Sequence, residues 1–216
     1  MSISANIHNL KNILGPGVKL LVVTKNHSVS EIEEAINSGV TLIAENRIQE
    51  AASKFPNLFL PVEKHFIGHL QTNKVKQAVS LFDVIQSIDS YRLAKIVDLE
   101  ANKQQKIMPI FLQVNVANEP QKHGFDKLEI LAITHKIGAE LKNVKIRGLM
   151  AIMPLDENPQ KAKPYFKLMR LLFNKIKSAD LANVALEELS MGMTNDYVIA
   201  LQEGSTMVRI GHGVFG

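Results

Sequence analysis

The sequence predicts an α/β fold, a single (β/α)8 barrel of parallel strands spanning residues 1–216 as one domain. Three observations predict it. Eight short apolar runs alternate with stretches of helical periodicity, and eight such units are the number that closes a barrel. No Pro/Gly/Ser-rich linker or shift of composition divides the chain. The content of hydrophobic residues, 46% of 216, is enough to bury a substantial core. An open doubly wound sheet is the other arrangement that the alternation allows.

Residues 4–14 carry Ile7, Leu10, Ile13 and Leu14 at helical spacing and stop at the breaker Gly15-Pro16-Gly17. The first strand is Lys-Leu-Leu-Val-Val-Thr-Lys, residues 19–25, and ends on Lys25. Ser30-Glu31-Ile32-Glu33 has capping-box spacing before a helix with Ile32, Ala35 and Ile36 on one face, ended by Gly39. Residues 40–44 form the second strand, followed by Glu45-Asn46-Arg47 and a short helix. Residues 66–68 form the third, followed by His69-Leu70-Gln71 and a polar helix. Residues 84–86 form the fourth, after which Ser90 opens a helix through Leu93, Ile96, Val97 and Leu99. The fifth strand is 110–116, with a helix over 126–141. The sixth is 146–150, with a helix through Phe166, Met169, Leu172, Phe173 and Ile176 whose start is left open by Pro164. The seventh is 186–190 with a helix over 194–201, and the eighth is 207–210.

Composition narrows the function. The absence of cysteine excludes disulfides, thiol catalysis and cysteine-ligated metals. No window approaches the ~18 apolar residues of a membrane span, and the first residues lack the pattern of a signal peptide, so a cytoplasmic protein is expected. The formal net charge of +4 comes from lysines and arginines interspersed with acids, which describes a solvated surface and gives no reason to expect nucleic acid as a partner. No extended apolar stripe announces an interface, so a monomer is expected.

In such barrels the active site lies at the C-terminal ends of the strands, often with a phosphate site in the loops after strands seven and eight. Those loops are Ser190-Met191-Gly192-Met193-Thr194, leading into a helix, and Gly211-His212-Gly213. Helix-end amides, the Thr194 hydroxyl and close backbone approach at glycine suit an anion, although each glycine alone also suits a plain tight turn. Lys25 shares a strand face with Leu21 and Val23; if that face points into the mouth, the amine is partly desolvated and primed for imine formation. An ordinary lysine reaching solvent from a strand end is the alternative. Arg209 stands inside an apolar strand, Met207-Val208-Arg209-Ile210, and needs a partner: a carboxylate, or the nitrogen of a pyridine ring. His65 and His69 are four apart, but on a strand that spans about 13 Å, too far for one ion, so no metal site is expected. His69, Asn46 and Met150, at the ends of strands three, two and six, are candidates to line the pocket.

The chain resembles the pyridoxal phosphate homeostasis proteins, which have the alanine-racemase-like barrel without its second domain. The resemblance is carried by Val22-Val23-Thr24-Lys25, residues 45–50 (Glu-Asn-Arg-Ile-Gln-Glu), residues 65–74 (His-Phe-Ile-Gly-His-Leu-Gln-Thr-Asn-Lys), Arg147-Gly148-Leu149-Met150, residues 190–196 (Ser-Met-Gly-Met-Thr-Asn-Asp) and residues 204–211 (Gly-Ser-Thr-Met-Val-Arg-Ile-Gly). It implies that pyridoxal 5'-phosphate is held covalently on Lys25 as a Schiff base, that Arg209 meets the pyridine nitrogen, and that Asn46 lies beside the ring. Thr194, Gly211 and the His212 backbone would hold the phosphate. Ser190 and Met193 fall in the same matched block. Thr24 and Thr194 replace usual serines, Ala44 a common glycine, and His212 a usual threonine. Gln121-Lys122-His123-Gly124 keeps Lys122 of a usual Ser-Lys-x-Gly.

An arginine at the ring nitrogen opposes its protonation and weakens the ring as an electron sink. Racemisation also needs an acid/base on each face of the substrate, and Tyr91, Tyr165 and Tyr197 all fall in predicted helices. A cofactor carrier in vitamin B6 and amino-acid/keto-acid homeostasis is therefore the expectation, with apo pyridoxal-phosphate enzymes as possible recipients. A pyridoxal-phosphate racemase or a Schiff-base aldolase are the enzyme alternatives.

Overall fold

The computed structural model describes residues 2–154, 156, 158–179 and 181–216. Its strands are β1 (Lys19–Val23), β2 (Leu42–Glu45), β3 (Glu63–Phe66), β4 (Val84–Ile88), β5 (Met108–Asn115), β6 (Phe125–Asp126), β7 (Val144–Met150), β8 (Val184–Ser190) and β9 (Met207–Ile210). Eight of them form a closed parallel barrel, with β1 paired to β2 and β9 and the ring completed by β4 on β5. The two-residue β6 pairs only with β5 and stays outside the ring. The helices are α1 (Ile3–Leu14), α2 (Val29–Asn37), α3 (Ile48–Lys54), α4 (Val75–Leu81), α5 (Tyr91–Lys103), α6 (Ile130–Glu140), α7 (Lys163–Lys177), α8 (Tyr197–Gln202) and α9 (His212–Phe215). Among the described residues no helix is long and apolar enough to cross a membrane.

The near-continuous apolar runs are explained by two buried faces. Leu20, Val22, Ile43, Ile85, Ile110, Leu189 and Val208 belong to the large core shared with the helices. Leu21, Leu42, Ala44, Val84, Phe111, Met150 and Met207 form a second cluster inside the barrel. Successive side chains of a strand point to opposite faces, so a barrel strand clad by helices has no side turned to solvent.

Several boundaries differ from the sequence expectation. The capping box of α2 is Ser28 with Glu31, both reciprocal bonds present, and the helix starts at Val29; the Ser30/Glu33 pair lies two residues too late. β1 ends at Val23, so Lys25 stands on a turn and not on the strand. β3 covers Glu63–Phe66, which puts His65 inside the barrel and leaves Ile67 and Gly68 in the following loop. α8 begins at Tyr197 and not at Thr194, because Asp196 folds back: its Oδ1 accepts from the Met193 amide at 2.6 Å, and its own amide donates to the Met193 carbonyl. Pro164 is tolerated because it lies in the first turn of α7, where no intrahelical N–H is needed.

The barrel interior is not wholly apolar. Arg209 Nη1 donates to Ser190 Oγ (2.9 Å), Ser190 Oγ donates to Gln86 Oε1 (2.8 Å), and Gln86 Nε2 donates to His65 Nδ1 (2.8 Å). His65 Nε2 then donates to Glu63 Oε1 (2.8 Å), which also accepts from Arg147 Nη2 (2.6 Å). Arg147 Nε continues to Glu188 Oε2 (3.0 Å), and Lys19 Nζ closes on Glu188 Oε1 (2.5 Å) at the N-terminal rim. The order of donors requires His65 to carry its proton on Nε2 and to be neutral. Burial does push His65 below the usual histidine range. The hydrogen bond from His65, with Arg147 beside it, holds the Glu63 carboxyl down at about 2.

Two outcomes follow from this packing. A Cβ at Gly148 would lie 2.5 Å from the Glu188 carbonyl and 2.9 Å from the Phe111 ring, so Gly148→Ala is expected to cost about 1–3 kcal/mol in urea unfolding through overpacking. Because the folded-state value of Glu63 lies below its ordinary 4.5, its stabilisation is full above that pH and is lost as pH falls towards 2. The gap in urea midpoint between the wild type and Glu63→Gln should therefore be constant from neutral pH to about 5 and close below about 4; a gap that widens on acidification contradicts the assigned ion pair.

Candidate functional site

The site is built on the C-terminal rim, where the turn after β1 carries Lys25. Leu21 faces the interior, but Lys25 lies beyond the end of β1, so strand alternation does not set its direction. Lys25 is exposed, and the expectation of a desolvated amine is corrected, because β1 stops two residues short and the turn lifts the side chain to the rim. The turn itself is tightly held. Lys54 Nζ donates to the Thr24 carbonyl (2.8 Å), to Glu45 Oε1 (2.9 Å) and to Glu50 Oε1 (2.6 Å). Glu50 Oε1 also accepts from the Asn26 amide at 2.5 Å, and the buried Thr24 hydroxyl donates to Glu45 Oε1 at 2.8 Å. Burial raises the Glu45 carboxyl, opposed by Lys54 and Thr24. Asn26 adopts a left-handed φ of 65°, a conformation that asparagine tolerates better than most residues. Lys25 is thus exposed in its side chain and clamped in its backbone on both sides.

Arg209, on β9, is 4% exposed and lies at the top of the interior column. Its Nη1 donates to the Ser190 carbonyl (2.8 Å) as well as to the Ser190 hydroxyl, and its Nη2 donates to the Ala151 carbonyl (2.8 Å). The partner is therefore not a carboxylate. Burial brings the guanidinium down to about 10, opposed by longer-range attraction to Asp196. Ser190, fully buried, orients Arg209 by accepting from it while donating to Gln86. Met150 lies beside this pair in the inner cluster, fully buried.

The loops after β8 and β9 meet as the sequence suggests. A Cβ at Gly213 would stand 3.7 Å from Thr194 Cγ2, and one at Gly211 would stand 3.2 Å from the Val23 carbonyl. The Arg209 amide donates to the Gly192 carbonyl at 3.0 Å, tying strand to loop. Met193, Thr194 and His212 line a cavity of about 480 Å³, whose other wall is Met153, Pro154 and Ala162 after β7 and Tyr165 of α7. Tyr165 is thus in a helix, as expected, and also at the cavity. The C-terminal helix is fixed from behind: Asn6 Nδ2 donates to the Val214 carbonyl (2.9 Å), and the Phe215 ring stacks on His27 at 3.8 Å.

Asn46, directly after β2, has a buried Oδ1 with no hydrogen-bond partner. Its carbonyl is packed so closely on Gly68 that any Cβ there would collide with it. His69, one residue on, is exposed at the rim and stacks on His123 rather than lining the 480 Å³ cavity. The structure therefore gathers Met193, Thr194 and His212 in one cavity and Met150, Ser190 and Arg209 in one buried group, with Lys25, Asn46, Gly211 and His69 around the mouth. Reasoning from sequence missed Lys54, Glu45 and Glu50. The signals were a glutamate closing an apolar strand and a Glu/Lys pair four apart in the short helix behind it.

Comparison with known proteins gives a consistent answer. The family model described as alanine racemase, N-terminal domain, matches residues 1–216. A pyridoxal phosphate homeostasis protein of Aquifex aeolicus is 41% identical over 92% of this chain and 86% of its own. One from Synechocystis is 36% identical over 94% and 93%. PipY of Synechococcus elongatus, solved with PLP bound, superposes with a TM-score of 0.90 at 34% identity over the full length of both chains. An alanine racemase of Clostridium difficile shares the fold, with a TM-score of 0.83 at 12% identity over 56% of that chain. With its barrel, its rim lysine and these relatives taken together, the chain belongs to the pyridoxal phosphate homeostasis proteins of the alanine racemase N-terminal domain family.

Proposed function

We propose that this protein binds pyridoxal 5'-phosphate covalently through Lys25 and serves as a cytoplasmic, monomeric carrier in vitamin B6 homeostasis, storing or delivering the cofactor rather than turning over a substrate. The relatives named for that role, and PipY solved with PLP, support the reading. The donor set fits the group: an exposed primary amine on a clamped turn, a buried guanidinium without a carboxylate partner, an orphaned Asn46 oxygen, and two glycine-containing loops in contact. Pyridoxal phosphate supplies an aldehyde that condenses with amines and a ring that withdraws electrons.

The observation that carries the non-catalytic reading is Arg209. A guanidinium fixed by two carbonyls and the Ser190 hydroxyl stays charged at neutral pH, even at about 10. A permanent cation there opposes a proton on any ring nitrogen set against it and so keeps the ring a poor electron sink. Lys25 would bind, Arg209 and Asn46 would orient the ring, and Thr194, Met193 and the Gly211–His212 backbone would take the phosphate. Tyr165 reaches the phosphate-side cavity, whose lining includes neither Lys25 nor Arg209. The single barrel would be the complete binding unit, with apo-enzymes as recipients of the cofactor.

The test is direct. Freshly purified protein should absorb in the visible, and borohydride reduction followed by peptide mapping should place the label on Lys25; cofactor-loaded protein with Lys25 unlabelled would overturn the proposal. Thr194→Ala should weaken retention of pyridoxal phosphate by roughly tenfold or more, the ~1.5–3 kcal/mol of a hydrogen bond to a charged group, while unphosphorylated pyridoxal binds as before. Lys54→Met should slow covalent attachment at Lys25 without abolishing it, read from the rate of visible absorbance change, because it frees the turn but leaves the amine.

A further inference from the structure

Three residues on the rim form a constellation outside the cavity lined by Thr194 and His212. His69 follows β3, Asp89 follows β4, and His123 lies in the loop after β5. The two imidazole rings are stacked, 3.8 Å between centroids and 13° between planes. Both turn Nδ1 towards the same atom: Asp89 Oδ2 is 3.3 Å from His69 Nδ1 and 3.6 Å from His123 Nδ1. One ligand atom from each residue lies within 4.8 Å of the others. We propose that His69, Asp89 and His123 form a binding site for a divalent transition-metal ion of zinc type at the mouth of the barrel.

The spacing argues for an ion. Separations of 3.3 and 3.6 Å exceed the usual 2.7–3.2 Å of an N–H···O hydrogen bond. They lie close to the edge of a coordination polyhedron, roughly 3.0–3.4 Å for ligand bonds of ~2.1 Å. Both rings are exposed, and sharing an ion would tilt them out of their parallel stack so that the two in-plane Nδ1 lone pairs converge. Two imidazoles and one carboxylate are the donors of a borderline ion and not of calcium or magnesium, and three protein ligands leave a position for water.

The supports of the site are rigid. Gln113 Nε2 donates to the His123 carbonyl (3.0 Å), and Asn115 Nδ2 donates to the carbonyls of Glu119 (2.9 Å) and Lys122 (3.2 Å), which fixes the loop on β5. Gly124, at φ 133°, folds against the backbone of Asn115 with no space for a side chain. Asp89 is held between the end of β4 and Ser90, the N-cap of α5. His69 follows Gly68, which packs on the Asn46 carbonyl. In the cyclic order of the barrel, β3, β4 and β5 lie opposite β8, β9 and β1. The ion would therefore bind across the mouth from the phosphate loops and from Lys25. The partner proposed for His69 is His123 on a neighbouring loop, whereas His65 lies buried inside the barrel.

The experiment is titration of the tag-free, cofactor-free full chain with Co(II), read by visible ligand-field absorption, and with Zn(II), read by calorimetry. One equivalent should bind saturably. His123→Ala and Asp89→Asn should each weaken binding by at least the ~10-fold that loss of even an outer-shell partner costs, while His135→Ala, an exposed histidine on α6, should change nothing. Circular dichroism confirms that each variant is folded. Lys25→Ala should bind the ion as the wild type does, so the cofactor reading and the metal reading fail separately. Unsaturable binding, or equal affinity in wild type, His123→Ala and Asp89→Asn, overturns the site.

Discussion

Arg209 is a full charge in the middle of an apolar strand, and the interior of the barrel is arranged around making that possible. Removing a cation from water is costly unless its donors are paired, and here two carbonyls and a hydroxyl accept from both terminal nitrogens without neutralising the charge. The rest of the column keeps that arrangement in register: Ser190 is turned by Gln86, Gln86 by His65, and His65 by Glu63. At the N-terminal end Glu63, Arg147, Glu188 and Lys19 alternate in sign and cancel. Since His65 is neutral, the column as a whole carries one uncompensated positive charge, and it is at the C-terminal mouth.

That distribution separates the two ends of the barrel by role. The N-terminal end is a closed electrostatic plug whose charges are used up on one another, as suits a face that contributes only to stability. The C-terminal end presents the Arg209 guanidinium, the exposed Lys25 amine and a set of backbone groups on glycine turns, with the supporting contacts behind them. Loops can then carry the chemistry because a rigid set of strands positions them.

Much of the architecture was legible in the sequence because each barrel strand is buried on both faces and reads as an apolar run. Of the candidate residues, Lys25 and Thr194 could be singled out because they follow apolar runs in loops at the rim, and Arg209 because it breaks one. What stayed hidden was pairing across the ring. Glu63, Arg147 and Glu188 look like surface charges in a one-dimensional reading, since nothing in their spacing says that three separate strands point them at one another. His123 was equally silent, because its relation to His69 and Asp89 exists only once β3, β4 and β5 are neighbours. The turn at Asn26 was missed for a different reason: the apolar run continues in character to Thr24, but the Thr24 hydroxyl is bonded to Glu45 and its carbonyl to Lys54, so the strand ends earlier than its composition does.

The clamp behind Lys25 has a consequence for chemoselectivity. Two primary amines stand at this corner of the mouth, on Lys25 and Lys54. Each of the three N–H bonds of Lys54 has its own acceptor within 2.9 Å, and its side chain is 12% exposed. Bonding to carbon would require Lys54 to release a proton and abandon at least one of those acceptors, leaving the buried Glu45 carboxylate without its counter-charge. Lys25 gives up nothing comparable. An electrophile entering the mouth thus meets two amines of the same chemical kind, of which the hydrogen-bonding pattern has left only one free to act as a nucleophile.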